Sequence, residues 1–260
     1  MTLTFHRRPK HALRGTVASM ITATRLAPLA LVVLVAASCG GGGKGRVAKP
    51  RPPARPILER VSDLAAGVPR GHRITLRAHP GGRVLAHLGS KTEFGSPQTL
   101  SVAFRKGRWL AVRSSALGNE QLGWVDARSA RLHLLRRPLS LEVDLSRMEL
   151  RVHEGDGIAR RISVAIGAPD TPTPPGEFFV TDKLPGAEFG SYYGCCILAL
   201  SGRQPDLPRG WSGGDRLAIH GSPAATWGHA VSNGCLHADE ADLRYLMRIV
   251  PLGTRVVVHA

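Results

Sequence analysis

"LSLEVDLSRMELRVHEGDGIARRISVAIG" (139–167) alternates apolar and polar residues through three short runs. Val143 with Leu145, Leu150 with Val152, and Ile162 with Val164 and Ile166 each recur every second residue. Successive side chains of an extended chain point to opposite sides, so this period gives each run one apolar face. Glu154-Gly155-Asp156-Gly157 interrupts the pattern with the residues of a hairpin turn. The stretch predicts strand, turn, strand, turn, strand. It sets the class of the chain as mostly β.

The reading extends toward the C-terminus. "TPTPPGEFFVTD" (171–182) is a proline-stiffened turn leading into a Phe178-Phe179-Val180 strand. "DRLAIHG" (215–221) is a strand ending at His220-Gly221, and "GTRVVVHA" (253–260) is a closing strand. Between them, "ADEADLRYLMRIV" (238–250) is the one good helix. Leu243, Leu246, Met247 and Val250 share a face, and Asp239 and Glu240 sit in the first turn, where acids suit the helix dipole.

On the N-terminal side, residues 72–133 hold short apolar runs split by turn residues such as His79-Pro80-Gly81-Gly82 and Arg105-Lys106-Gly107-Arg108. They read as a small β module, with Trp109 and Trp124 in strands and Trp124 in its core.

Cys235 carries the chemical question. It lies in "AVSNGCLHADEADL" (230–243), inside a Ser-Asn-Gly-Cys turn that precedes the helix. A cysteine in a glycine turn serves as a nucleophile, half of a disulfide, a metal ligand or filler. A thiol that acts as a nucleophile works with a base and an oxyanion site. A thiol needs only a modest push to react. His220, at a strand end facing the turn, can take the thiol proton. Gly234 permits close backbone approach, so the Gly234 and Cys235 amides are expected to face a developing oxyanion. Ser232 is expected to hold the loop or orient the imidazole. His229 and His237 compete as base, while His72, His79, His87, His133, His153 and His259 read as scattered surface or strand residues. Asp215 is assigned no role. Cys195-Cys196 in "SYYGCCILAL" (191–200) reads as two small residues, one buried and one facing out, or else as a redox partner for Cys235.

These pieces together resemble the L,D-transpeptidase (YkuD-type) family of peptidoglycan cross-linking enzymes. The resemblance covers about residues 138–259. It rests on "VDLSRMELRV", "TPTPPGEFFV", His220-Gly221 and Ser232-Asn233-Gly234-Cys235, fifteen residues after His220. It implies a β-sandwich-like catalytic domain with one helix. It also implies a reaction that cleaves the bond after an L-centre of a stem peptide and passes the acyl group to an amine. Cys235, His220, Gly234 and Ser232 then form the catalytic set, and Gly221, Asn233 and His237 lie toward substrate. Asn233 replaces the usual histidine before Gly-Cys, and His237 replaces the usual Arg or Asn. "KGRWLAVRSSALGNEQLGWVDARSARL" (106–132) similarly resembles the last strands of a bacterial SH3-like barrel. An L,D-carboxypeptidase with the same Cys and His, or a catalytically silent wall-binding lipoprotein, are the alternative functions.

Charge narrows the partners. Of 35 Lys and Arg, ten lie in residues 1–56, which contain no acid. The other 204 residues carry 25 basic against 19 acidic side chains, only +6. The high net charge of +16 is largely a property of the N-terminal segment, and no nucleic-acid-binding pattern accompanies it. Four cysteines without a CxxC pair suggest neither a disulfide framework nor zinc, and no cofactor is implied.

"RLAPLALVVLVAASCGGGG" (25–43) reads as a secretory signal, too short for a bilayer-spanning helix of about 20 residues. Ala36-Ala37-Ser38-Cys39 resembles a bacterial lipobox, which implies lipidation of Cys39; the alternative is ordinary cleavage with Cys39 incidental. A complete signal already begins at Met20, which makes Met20 the expected start of translation. "GGGGKGRVAKPRPPARP" (40–56) reads as a basic tether. The expected organisation is a signal over 1–38, a tether over 39–57, an SH3-like module over 58–135 and the catalytic domain over 138–260. The expected setting is extracytoplasmic, held to the membrane by a lipid and facing peptidoglycan stem peptides.

Overall fold

The two hairpins of the 139–167 stretch appear where the alternation places them. In the computed structural model, which describes residues 57–260, β9 (Leu139–Asp144), β10 (Glu149–Glu154) and β11 (Gly157–Ser163) pair antiparallel in sequence order. Val143, Leu150, Val152, Ile162 and Val164 are all buried. Leu145 falls in the β9–β10 turn instead, where Asp144 accepts the Ser146 hydroxyl at 2.7 Å and the Arg147 amide at 3.1 Å. The expectations for the signal, the tether and Cys39 concern residues outside 57–260.

Upstream, β1 (Leu58–Arg60), β2 (Leu64–Gly67), β3 (Ile74–Arg77), β4 (Val84–Leu88), β5 (Thr99–Lys106), β6 (Trp109–Arg113), β7 (Gly123–Asp126) and β8 (His133–Arg136) build one antiparallel sheet. Its order is β4-β3-β7-β6-β5-β2-β8, with β1 also on β5. Downstream, the second sheet adds β13 (Gly176–Pro185), β14 (Cys196–Arg203), β15 (Arg216–His220), β17 (Leu236–His237) and β18 (Arg255–His259) to the first three strands. Its order is β11-β10-β9-β18-β13-β14-β15-β17. A small parallel pair, β12 (Ile166–Gly167) with β16 (Ala230–Ser232), lies beside it.

The helix α1 (Glu240–Ile249) buries Leu243 and Leu246 completely, and Met247 only partly. Asp239 is its N-cap, not a first-turn residue: its Oδ1 accepts the Ala241 amide at 2.8 Å, satisfying a donor that the helix itself cannot.

The described residues, 57–260, form one compact unit. Strand alternation in β13 is one reason. Phe178 enters the core of the second sheet, and its neighbour Phe179 enters the core of the first. Glu177 accepts from Arg60 at 2.8 Å and Arg113 at 2.5 Å on the first sheet, and from Arg255 at 2.7 Å on the second. Asn119 pairs with both backbone groups of Arg203, each at 2.8 Å. Among the described residues, no helix is long and apolar enough to cross a membrane.

Candidate active site

The parallel pairing of β15 with β17 sets Ile219 opposite Leu236 and His220 opposite His237. Cys235, one residue before β17, therefore lies beside Ala218, one residue before Ile219. Ala218 and His220 are two apart on β15 and share its face. Sequence-distant Cys235 and His220 thus come to the same side of one sheet. Cys235 packs with Ala218, Ile197, Leu184 and Tyr193.

The turn that holds Cys235 is braced from three directions. Ser232 Oγ donates to the Cys235 carbonyl at 2.5 Å and accepts the Gly234 amide at 3.1 Å. From the proline-stiffened turn, Thr171 Oγ1 donates to the Ser232 carbonyl at 2.9 Å and Thr173 Oγ1 to the Gly234 carbonyl at 3.0 Å. From the end of β14, Gln204 Nε2 reaches the carbonyls of Pro172 at 2.8 Å, Thr171 at 3.1 Å and Asn233 at 3.3 Å. Gly234 has φ +103°, and a Cβ there would sit 2.2 Å from Gln204 Nε2. Only glycine fits both the dihedral and the space.

Ser232 thus ties the loop to itself through both of its hydrogen bonds. The Gly234 amide does not face a substrate oxygen as expected; Ser232 Oγ occupies it. The reason is local: a hydroxyl two residues back closes a turn onto that amide.

His220 is fully buried, and its Nδ1 lies 2.6 Å from the Gly221 carbonyl. A carbonyl only accepts, so Nδ1 carries the proton and Nε2 holds the free lone pair. Nε2 has no partner among the described residues. Burial, with neighbouring His237 adding to it, lowers the His220 pKa to about 3. Burial likewise raises the Cys235 thiol above its ordinary range. The thiol points at the Arg216 carbonyl, 3.9 Å away. The thiol and the imidazole are both neutral in this closed arrangement, and no hydrogen bond joins them.

His237 is buried rather than open to solvent. Its ring centroid is 4.7 Å from that of His220, Nδ1 meets Thr226 Oγ1 at 3.1 Å, and Nε2 has no partner among the described residues. Burial lowers its pKa to about 4. His229, the other competitor, is exposed. Gly221 is buried against Gly194, where a Cβ would meet the Gly194 Cα at 2.8 Å. Asn233 is half-buried, with its Oδ1 3.5 Å from Thr171 Oγ1. Asp215 pairs with Arg203 at 2.5 Å.

Cys195 and Cys196 bond to each other, their Cα atoms 3.7 Å apart, and Cys235 is a free thiol. Cys196 is buried and Cys195 only partly so, in line with one facing in and one out, but the bond between them corrects the reading of either as a redox partner for Cys235.

Several participants were not singled out from the sequence. Tyr193 stacks edge-on against His220 at 4.9 Å, and burial raises its phenol to about 12. Tyr192 lies 6.0 Å from both imidazoles. The adjacent tyrosines and the alternate threonines of "TPTPP" were the readable signals. Gln204 had none.

Residues 138–258 match the family model of the YkuD L,D-transpeptidase catalytic domain. A Bacillus licheniformis protein named as a candidate L,D-transpeptidase, YkuD, is 33% identical over 124 residues, covering 46% of this chain and 66% of the relative. Its Bacillus subtilis namesake is 30% identical over 125 residues, covering 47% and 66%. The chain thus spans just under two thirds of the length of these curated relatives. Among solved structures, an L,D-transpeptidase from Mycobacterium smegmatis aligns at 15% identity over 54% of this chain and 73% of that one, with a TM-score of 0.36. The family model and the curated relatives together support an L,D-transpeptidase catalytic domain in residues 138–258.

Proposed function

We propose that this protein is a peptidoglycan L,D-transpeptidase that transfers an acyl group through Cys235. What carries the reading is the pairing of a free thiol with an imidazole whose Nδ1 is tied back to Gly221, both inside the segment that matches the family. In this mechanism His220 Nε2 takes the thiol proton as the sulfur attacks the carbonyl carbon after the L-centre. The C–S bond forms, the C–N bond breaks, and the leaving amine takes the proton from His220. An acceptor amine then attacks the thioester, gives its proton to His220 and releases the thiolate. The sulfur must first swing from the Arg216 carbonyl toward Nε2. Substrate entry, which displaces the side chains packed around the sulfur, is the step that would turn it.

We further propose that His237 and Asn233 contact the stem peptide once the site opens, that the first sheet is an SH3-like wall module, and that lipidated Cys39 anchors the chain outside the cytoplasm. One acyl chain holds a protein only marginally, so the five basic residues of 39–56 would add to the attachment. Changing Cys39 to Ser should release the protein into the soluble fraction; an unchanged membrane fraction would refute the anchor.

Mass spectrometry of products from purified disaccharide tetrapeptide tests the activity. A cross-linked dimer marks a transpeptidase, and tripeptide alone marks a carboxypeptidase acting with water. No change, together with no carbapenem adduct on Cys235, would leave a wall-binding protein.

A further inference from the structure

We propose that the loop Lys91–Pro97 of the first sheet is a working part of the active site, and that Glu93 and Phe94 are positioning residues for the Cys235 sulfur. The proposal builds on Cys235 as nucleophile, but its test does not need turnover.

The loop is built to present its tip rigidly. Lys91 and Pro97 bridge at its base, the Thr92 amide donates to the Ser96 carbonyl at 2.9 Å, and the Ser96 amide donates to Thr92 Oγ1 at 3.1 Å. Thr92 Oγ1 also donates to Asp182 Oδ1 at 2.5 Å, with both residues buried. This fixes the loop to β13 of the second sheet.

From there the tip reaches β15. The Glu93 carboxylate ion-pairs with Arg216, a residue only 4% exposed. The same guanidinium donates to Thr181 Oγ1 at 2.9 Å and to the Leu200 carbonyl at 2.6 Å, and lies 5.7 Å from the Phe94 ring centroid. The carbonyl of that same Arg216 receives the Cys235 thiol. Phe94, with Phe189 and Tyr192, packs from outside on the cluster that contains Cys235, Tyr193 and Ala218. One side chain of the loop therefore holds the residue that orients the sulfur, and the next covers the sulfur's surroundings. A loop serving only to join the two sheets would need neither contact.

The test is the pH dependence of Cys235 alkylation by iodoacetamide, followed by peptide mass mapping in the full-length protein. The variants are Glu93→Gln, Phe94→Ala and Phe94→Tyr. Removing the cover or freeing Arg216 admits water to the sulfur, so Glu93→Gln and Phe94→Ala should alkylate at least about tenfold faster at pH 7. Their midpoints should move down toward an ordinary thiol, about 8.5. Phe94→Tyr keeps the ring and should follow the wild type. On a tetrapeptide substrate, Glu93→Gln should lower kcat by about tenfold to a hundredfold with KM little changed, as expected for a displaced reacting atom. An alkylation profile identical to wild type in both Glu93→Gln and Phe94→Ala, even with reduced stability, overturns the proposal. If Glu93→Gln fails to fold, Phe94→Ala against Phe94→Tyr decides alone. If Cys235→Ala retained turnover, the nucleophile reading would fall, while the alkylation profiles would still report whether the loop shields this sulfur.

Discussion

At Cys235 two demands compete. The proposed role as nucleophile requires ionisation, yet this thiol is 1% exposed in an apolar cluster, and burial disfavours the thiolate. His220 cannot offset this by standing as an imidazolium, because burial holds it neutral. The free protein should therefore alkylate slowly at neutral pH, with the rate rising only above about pH 8.5; fast labelling at pH 6 would contradict the closed arrangement. Cys235→Ala should abolish turnover at a stability loss of about 1–2 kcal/mol, since one buried heavy atom is removed. His220→Ala should lower the rate by about two to four decades. Gln204→Leu keeps the volume but strips the donor shared by three carbonyls. It should destabilise by about 1–3 kcal/mol in urea titrations, and it should slow turnover by loosening the turn. Wild-type values for both would show that the brace is idle.

At the scale of elements, β13 joins the molecule. Four residues of it pair with β18 and the rest continue into β14, and its two phenylalanines point into different cores. Phe179→Ala should cost about 3–5 kcal/mol, the range for a fully buried aromatic. The loss should appear in the first sheet as well as the second, because Phe179 is packed against Leu100, Leu110 and their neighbours. Hydrogen exchange can resolve this: faster exchange confined to β13 and the second sheet would contradict a shared core. The alternation around "EFFV" was legible as a strand. That its two faces serve two sheets was not, since periodicity gives a side and never a partner.

The whole molecule carries a predictable response to pH. His220 and His237 have folded pKa values of about 3 and about 4, against about 6.5 in an unfolded chain. Between those limits the unfolded chain binds more protons, so stability must fall as pH drops below about 6.5. His259, raised by its hydrogen bond to Glu142, opposes this, but it is only half-buried and solvent screening keeps the effect small. The Cys235 thiol acts at the other end: its folded pKa is raised, so stability should fall as pH rises above about 8.5. Glu177 is held below its usual range by Arg255 and Arg113 in spite of its burial, which adds a further loss near pH 4. Melting temperature against pH should show a plateau near neutrality, and His237→Asn should flatten the slope between pH 6.5 and 5. A melting temperature constant from pH 7 to 5 would show that these imidazoles are more hydrated than their burial implies.

What the sequence determined by itself was local. Alternation gave the strands of 139–167, glycines and prolines gave the turns, and the apolar face of 240–249 gave the helix, because each depends on neighbours within a few residues. The Cys-turn and His pattern marked Cys235 and His220, because that chemistry leaves short motifs. Only the tertiary structure decided how the pair is kept. β15 beside β17 puts His237 against His220, Gln204 crosses under the loop, and Glu93 arrives from the loop between β4 and β5, more than a hundred residues away. Such contacts follow from sheet order and side-chain packing, which depend on long-range burial and leave no periodic or compositional trace in the chain.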